Sequence, residues 1–233
     1  RGGNAQTILP VFLPGKKARY ESIRHEVVLS DGDRVVLHDD CPEEWQQGDP
    51  VVLMMHGLTG CHQSHYMQRL ASKINARGWR AFRMDHRGSG AGSNLARNPY
   101  HAALTHDGIM ALQQVAKTCP LSALSAVGFS LSGNLLLKIA GTCGEELPRQ
   151  LTNVMAICPA IDVGISAANL RQNSRRRYDR HFTRELWSFA SRFGRIRDEF
   201  PHLLAGKRPK NMYEFDHTIT APVCGFESAQ EYY

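Results

Sequence analysis

The stretch Ala126-Val127-Gly128-Phe129-Ser130-Leu131-Ser132-Gly133-Asn134 decides the fold. The small and apolar run Leu121 to Phe129 reads as a short buried strand, and behind it Leu135, Leu136, Ile139 and Ala140 recur at helical spacing. Strand, sharp turn with a serine, then helix is the context that gives a G-x-S-x-G pattern its mechanical meaning. The turn pushes the serine hydroxyl out above the edge of a sheet. Glycines flank it because strand and helix pass so close that a Cβ would collide. Here the pattern runs Gly128-x-Ser130-x-Ser132-Gly133, with a serine where the second glycine usually stands. Serine is small enough to keep the turn. By itself the pattern is weak, since runs of small residues often arise by chance.

The neighbouring stretches supply the context. Val51 to Met55 is a continuous apolar run, the mark of a strand buried on both faces, and it stops at His56-Gly57-Leu58-Thr59-Gly60. A helix is expected over roughly Ser64 to Arg77, closed by Gly78. Trp79 to Met84 reads as the next strand, ending in Asp85-His86-Arg87-Gly88-Ser89-Gly90. Leu104 to Lys117 places Ile109, Leu112, Val115 and Ala116 on one side of a helix, and Asn153 to Cys158 makes another buried strand before Pro159. Strands alternating with helices predict a parallel sheet covered on both faces.

At the start, Gly2 to Pro10 reads as loop. Ser22 to Leu29 and Arg34 to His38 flank the turn signal Ser30-Asp31-Gly32-Asp33 and predict an antiparallel hairpin on an otherwise parallel sheet. Pro42 to Pro50 is a polar surface connection. After Asp162 the strand signal stops. Residues 167–209 read as a helical insertion placed to cap an active site, with a plain helical extension as the alternative. The expectation is one α/β domain over 1–233 with that cap inside it.

At 233 residues with 42% hydrophobic content the chain can bury a substantial core, and no apolar run nears the roughly 20 residues of a membrane helix. The net charge of +6 invites a nucleic-acid reading, but much of the excess sits between Arg171 and Arg208, where aromatics are not interleaved in any RNA-binding pattern, and no zinc-finger or helix-turn-helix signature is present. A solvated helix face is expected there, with anionic headgroups or a membrane surface as the alternative. No nucleic-acid partner is expected. The six cysteines include no C-x-x-C pair, which fits neither a disulfide framework nor a zinc site and points to the reducing cytoplasm. No secretory leader is visible, and the start at Arg1 leaves room for one upstream.

Three loops are thus expected at the carboxyl ends of parallel strands, where ligands bind in open α/β sheets. Acyl transfer by serine needs backbone N–H groups aimed at the developing oxyanion. Leu131, first in its helix, and Leu58, in the glycine-lined loop after the earlier strand, are the expected donors. His56 reads as a structural, hydrogen-bonded histidine, and Asp85-His86-Arg87-Gly88 as a turn whose charges pair with neighbours. His101, His106 and Asp107 read as a capping cluster at a helix start.

Several motifs now fall in one order: Gln6-Thr7-Ile8-Leu9-Pro10, His56-Gly57-Leu58-Thr59-Gly60, His86-Arg87-Gly88 and Gly128-Phe129-Ser130-Leu131-Ser132-Gly133-Asn134. Phe215-Asp216 with Ile219-Thr220-Ala221-Pro222, then Gly225-Phe226 and Tyr232-Tyr233, continue the series. In this the chain resembles the YheT-like branch of the α/β-hydrolase superfamily, with its abhydrolase-domain esterases and lipases. The resemblance implies a Ser-Asp-His hydrolase of carboxylic esters, often lipid-like, with no cofactor and no metal, and it puts Ser130 in the nucleophile's place. Ser132 departs from the family's glycine. The family's pattern also continues past the twin tyrosines, so the final strands and the Asp and His of the triad are expected beyond Tyr233. Asp162 follows a strand, but no strand precedes His181, His202 or His217, and Phe215-Asp216 is structural in the family. A fragment of this kind is expected to be inactive alone and to expose an apolar sheet edge. The rival reading is a non-catalytic ligand-binding protein of the same fold.

Overall fold

A computed structural model of the protein describes residues 22–172 and 175–233. The opening loop and its Gln6-Thr7-Ile8-Leu9-Pro10 motif lie outside the described residues. Six strands form one sheet: β1 (Ile23–Val28), β2 (Arg34–Asp40), β3 (Val51–Met55), β4 (Arg80–Asp85), β5 (Leu124–Phe129) and β6 (Leu151–Ile157), in the order β1-β2-β4-β3-β5-β6. The β1–β2 and β2–β4 pairings are antiparallel and the other three are parallel. The mixed α/β architecture expected from the hairpin and the βα alternation is therefore present.

Helices α1 (His65–Asn75), α2 (Thr105–Thr118) and α3 (Leu131–Thr142) connect the parallel strands. The continuous apolar run of β3 has a direct cause. Its alternate side chains serve two cores, Val51, Leu53 and Met55 packing with Ile109, Leu112, Val115, Leu135 and Ile139 of α2 and α3. Val52 and Met54 pack with Met67, Ala71 and Ile74 of α1 on the other face. Each such fully buried side chain contributes about 1.5–3 kcal/mol relative to exposure, which fixes β3 as the middle of the sheet. Gly78 ends α1 in the left-handed region at φ +75°, as its spacing predicts. Strand β5 starts later than the apolar run suggests, because Leu121 lies in the preceding turn and is 75% exposed.

Two features differ from expectation or extend it. Asp107 does not cap α2, whose N-cap Leu104 makes no side-chain bond; both Asp107 oxygens instead accept from Arg87 (2.7 and 2.8 Å). A buried guanidinium outcompetes orphan helix amides as a donor to a carboxylate. Among the described residues strand β6 pairs only with β5, and Met155 on it is 58% exposed, with Ile161 and Ile165 exposed just after it. An apolar open edge is thus a feature of the sheet.

Beyond β6 the described residues are helical: α4 (Val163–Leu170), α5 (Arg176–Arg192), α6 (Gly194–Glu199), α7 (Pro201–Ala205), α8 (Met212–Phe215), a π turn (Asp216–Thr220), α9 (Ala221–Cys224) and α10 (Ala229–Tyr232). Leu186, Ala190, Phe193 and Ile196 form a third apolar cluster with Phe215, Ile219 and Val223, and Leu58 of the β3 loop packs against it. That contact seats the helices on the carboxyl edge of the sheet. No helix among the described residues is long and apolar enough to cross a membrane. All six cysteines are free thiols.

Candidate active site

Ser130 sits at the turn from β5 into α3 with φ +52° and ψ −114°. A non-glycine residue held there costs about 1–3 kcal/mol, which the surroundings must over-determine. They do: its N–H donates to the Ile157 carbonyl of β6 (2.9 Å), and its carbonyl accepts from the Asn134 N–H (3.1 Å). A Cβ on Gly128 would lie 2.6 Å from the Ser132 carbonyl carbon, and one on Gly133 would lie 3.1 Å from the Gly128 carbonyl oxygen. Both glycines are therefore steric requirements of the turn. The Ser130 side chain is exposed at the carboxyl edge of the sheet, and no described residue hydrogen-bonds its hydroxyl.

The loop after β3 comes against this turn. A Cβ on Gly57 would stand 3.1 Å from Ser130 Cβ and 3.2 Å from the Phe129 carbonyl oxygen, so only glycine allows the approach. Accounting for the loop's amides is informative. Gly57 N–H donates to Tyr66 Oη (3.0 Å), Thr59 N–H to Tyr100 Oη (2.7 Å) and Gly60 N–H to the Gly57 carbonyl (3.0 Å). Leu58 N–H is left without an acceptor among the described residues, and so is Leu131 N–H at the start of α3. The two donors expected from the sequence are thus the unpaired ones, in a loop and a turn that touch. Tyr66 and Tyr100, which hold the loop, carry no signal in the sequence.

Ser132 and two histidines brace the same junction from below. Ser132 Oγ donates to the His56 carbonyl (2.5 Å), since that carbonyl can only accept, and it accepts from His86 Nε2–H (2.7 Å). His56 Nδ1–H donates to the Gly57 carbonyl (2.7 Å), while its Nε2 faces the His86 N–H at 3.4 Å. Both rings are buried, and burial, aided by neighbouring His56, holds His86 neutral with its pKa pushed down to about 3. Burial lowers His56 likewise. Each ring is locked in place, as the structural reading of His56 expects.

The turn after β4 pairs its charges as expected. Arg87 contacts Asp31 (2.5 Å), Asp33 (2.6 Å) and Asp107 (2.7 Å). His38 Nε2, His62 Nδ1 and Asp85 Oδ2 lie within 4.8 Å of one another, the ligand set that could hold a cation. Both histidines are turned onto Asp85 Oδ2, at 3.0 and 2.6 Å, and the Ala91 and His62 amides also donate to that carboxylate. Burial raises the Asp85 pKa, but these donors outweigh it and hold the carboxyl well below the usual range.

A cavity of about 260 Å³ lies between the 58–61 loop, the 88–90 turn, Tyr100 and the overlying helices. Leu58, Leu186, Phe189, Phe215, Ile219 and Val223 give it apolar walls. Ser130 is outside this lining, and Leu58 is the residue that joins the turn's neighbour to the cavity.

These features define an α/β-hydrolase fold with a nucleophile-elbow geometry. The chain belongs to the family described as serine aminopeptidase, S33, whose sequence profile matches residues 46–192, and it falls in the YheT and abhydrolase branch of the α/β-hydrolase superfamily. It is 27% identical to YheT of Escherichia coli over 98% of this chain and 67% of that protein. It is also 27% identical to the medium-chain fatty acid ethyl ester synthase/esterase 2 of Saccharomyces cerevisiae, over 84% of this chain and 49% of that protein. With human phospholipase ABHD3 the identity is 21% over 99% of this chain and 57% of that protein. The chain thus spans about half to two thirds of the length of these relatives. Among solved structures, Est1E of Butyrivibrio proteoclasticus with bound ferulic acid has a TM-score of 0.52 at 16% identity, covering 64% of this chain and 57% of that one. A bacterial brefeldin A esterase has a TM-score of 0.52 at 19% identity, covering 76% and 50%. These share the fold.

Proposed function

We propose that the protein is a serine ester hydrolase in which Ser130 attacks the ester carbonyl. The observation that carries this reading is the strained Ser130 turn lying against a loop, Gly57 to Gly60, in which Leu58 N–H is the amide without an acceptor among the described residues. In the mechanism, Ser130 Oγ bonds to the carbonyl carbon while its proton passes to a histidine. Leu58 and Leu131 N–H groups hold the oxyanion, and loss of one such donor costs about 2.7–4 kcal/mol in the transition state. Collapse expels the alcohol, which takes the proton back, and water then hydrolyses the acyl-enzyme by the same route.

The histidine and its acid come from sequence outside residues 1–233. Support for this lies in the described residues: Asp162 is committed to capping α4 through the Ile165 N–H (2.7 Å), and His181, His202 and His217 are exposed on helical segments, none of which is preceded directly by a strand. The apolar cavity suits an acyl chain, with the helices of 167–209 as its cap. The yeast relative is named for fatty acid ethyl esters and the human one for phospholipids, and we extend to this protein a fatty-acyl ester as substrate. No cofactor is needed for this chemistry.

The test is ester hydrolysis by the full-length protein with Ser130→Ala as control. A loss of at least about a thousandfold in kcat with little change in KM is expected. The lack of a described partner for the Ser130 hydroxyl favours the rival, a non-catalytic ligand-binding protein. No turnover by either protein would select it, whereas equal turnover by wild type and Ser130→Ala would overturn Ser130 as the nucleophile.

A further inference from the structure

Helix α5 uses its two sides differently. Glu185, Leu186, Phe189 and Arg192 border the cavity, while Asp179, Thr183, Leu186 and Ala190 are buried. Arg176, Arg177, Arg180 and Arg184 are all exposed. At roughly 100° per residue they share an arc of about 100° on the outward side. No carboxylate shares it: Asp179 is buried and accepts from the Met212 N–H (2.8 Å), and Glu185 faces the cavity.

None of these four arginines makes an ion pair or hydrogen bond among the described residues. Nearby Arg97 and Arg195, in contrast, are both paired with Glu199 (2.8 and 3.1 Å). Arg175, Arg176 and Arg177 also crowd the start of α5, where the positive end of the helix dipole repels cations and favours anions. Asp179, in the same first turn, offsets part of this repulsion from the buried side of the helix. Arg208, stacked over Trp187 of α5 at 5.8 Å, and exposed Lys207 extend the basic area.

We propose that this face of α5 docks the protein on an anionic phospholipid surface, placing the cavity on the far side of the same helix within reach of bilayer-held esters. The use of that placement rests on the ester-hydrolase reading; the docking itself does not. A lipid surface is favoured over nucleic acid because Trp187, the aromatic that falls on this arc, is half-buried and covered by Arg208, so its ring is not free to stack a base. The apolar side of α5 is already occupied by the protein core, so attachment is electrostatic, shallow and released by salt.

The experiment is co-sedimentation of the full-length protein with phosphatidylcholine vesicles, with and without phosphatidylglycerol. Binding is expected only with phosphatidylglycerol, and release at high salt. Replacing Arg176, Arg177, Arg180 and Arg184 by glutamine should lower the partition coefficient by roughly 600-fold, each arginine near a charged surface being worth about fivefold. Glutamine at Lys73, Arg77 and Lys138, also exposed, should leave it within about twofold of wild type at matched circular dichroism. Ser130→Ala should bind vesicles like wild type whether or not the ester-hydrolase reading holds. Equal binding to neutral vesicles, retention by the four-arginine variant, or preference for polyuridine over the anionic vesicles would overturn the proposal.

Discussion

At Ser132 a hydroxyl stands where the nucleophile turn usually has a glycine, and it links three segments of the site. It donates to His56 and accepts from His86, groups 76 and 46 residues away in sequence. Ser132→Ala removes the donor and strands two buried polar groups, at a cost of about 1–3 kcal/mol; thermal unfolding should show a drop of several degrees. Because burial lowers the His86 pKa to about 3 from 6.5, the folded state resists its protonation. Its contribution is complete above pH 6.5 and is lost progressively as pH falls toward 3, by on the order of a few kcal/mol. His101, lowered to about 4 by burial, acts in the same direction. Urea titrations from pH 7 to 4 should show falling stability, with a shallower slope in His86→Asn. Ser130 was legible because its constraints are local: Gly128 and Gly133 collide with their own near neighbours if given a Cβ. The Ser132 network, Tyr66 and Tyr100 were not, since a hydrogen bond between distant residues leaves no periodic pattern.

Among elements, the turn after β4 ties the sheet to its surroundings. Arg87 bridges the β1–β2 turn, through Asp31 and Asp33, to Asp107 on α2. Arg87→Met strands three carboxylates around a buried site, two of them buried themselves, and should destabilise by about 3–5 kcal/mol, read as a lower denaturant midpoint. Glutamine at the partly exposed Asp31 should cost much less. The strands were legible because a doubly covered sheet demands unbroken apolar runs such as β3. Asp107 was misjudged as a cap because its position in the first helical turn is visible in sequence, whereas Arg87, 20 residues earlier, is not visibly its neighbour.

At the largest scale, the sheet among the described residues ends at β6 with Met155 uncovered, and the chain spans only part of its relatives' length. Open parallel edges with apolar neighbours recruit other strands. Residues 1–233 expressed alone should therefore self-associate at micromolar concentration in sedimentation velocity runs, and a monomer would argue against a sheet that continues past β6. The central claim, however, is Ser130 as an activated nucleophile, and one measurement addresses it directly. The full-length protein would be treated with a fluorophosphonate and the adduct located by peptide mass spectrometry. The account predicts a single, stoichiometric adduct on Ser130, absent from Ser130→Ala. An adduct on Ser89 or Ser93, which line the cavity, or ester hydrolysis that persists with Ser130 fully labelled, would contradict it.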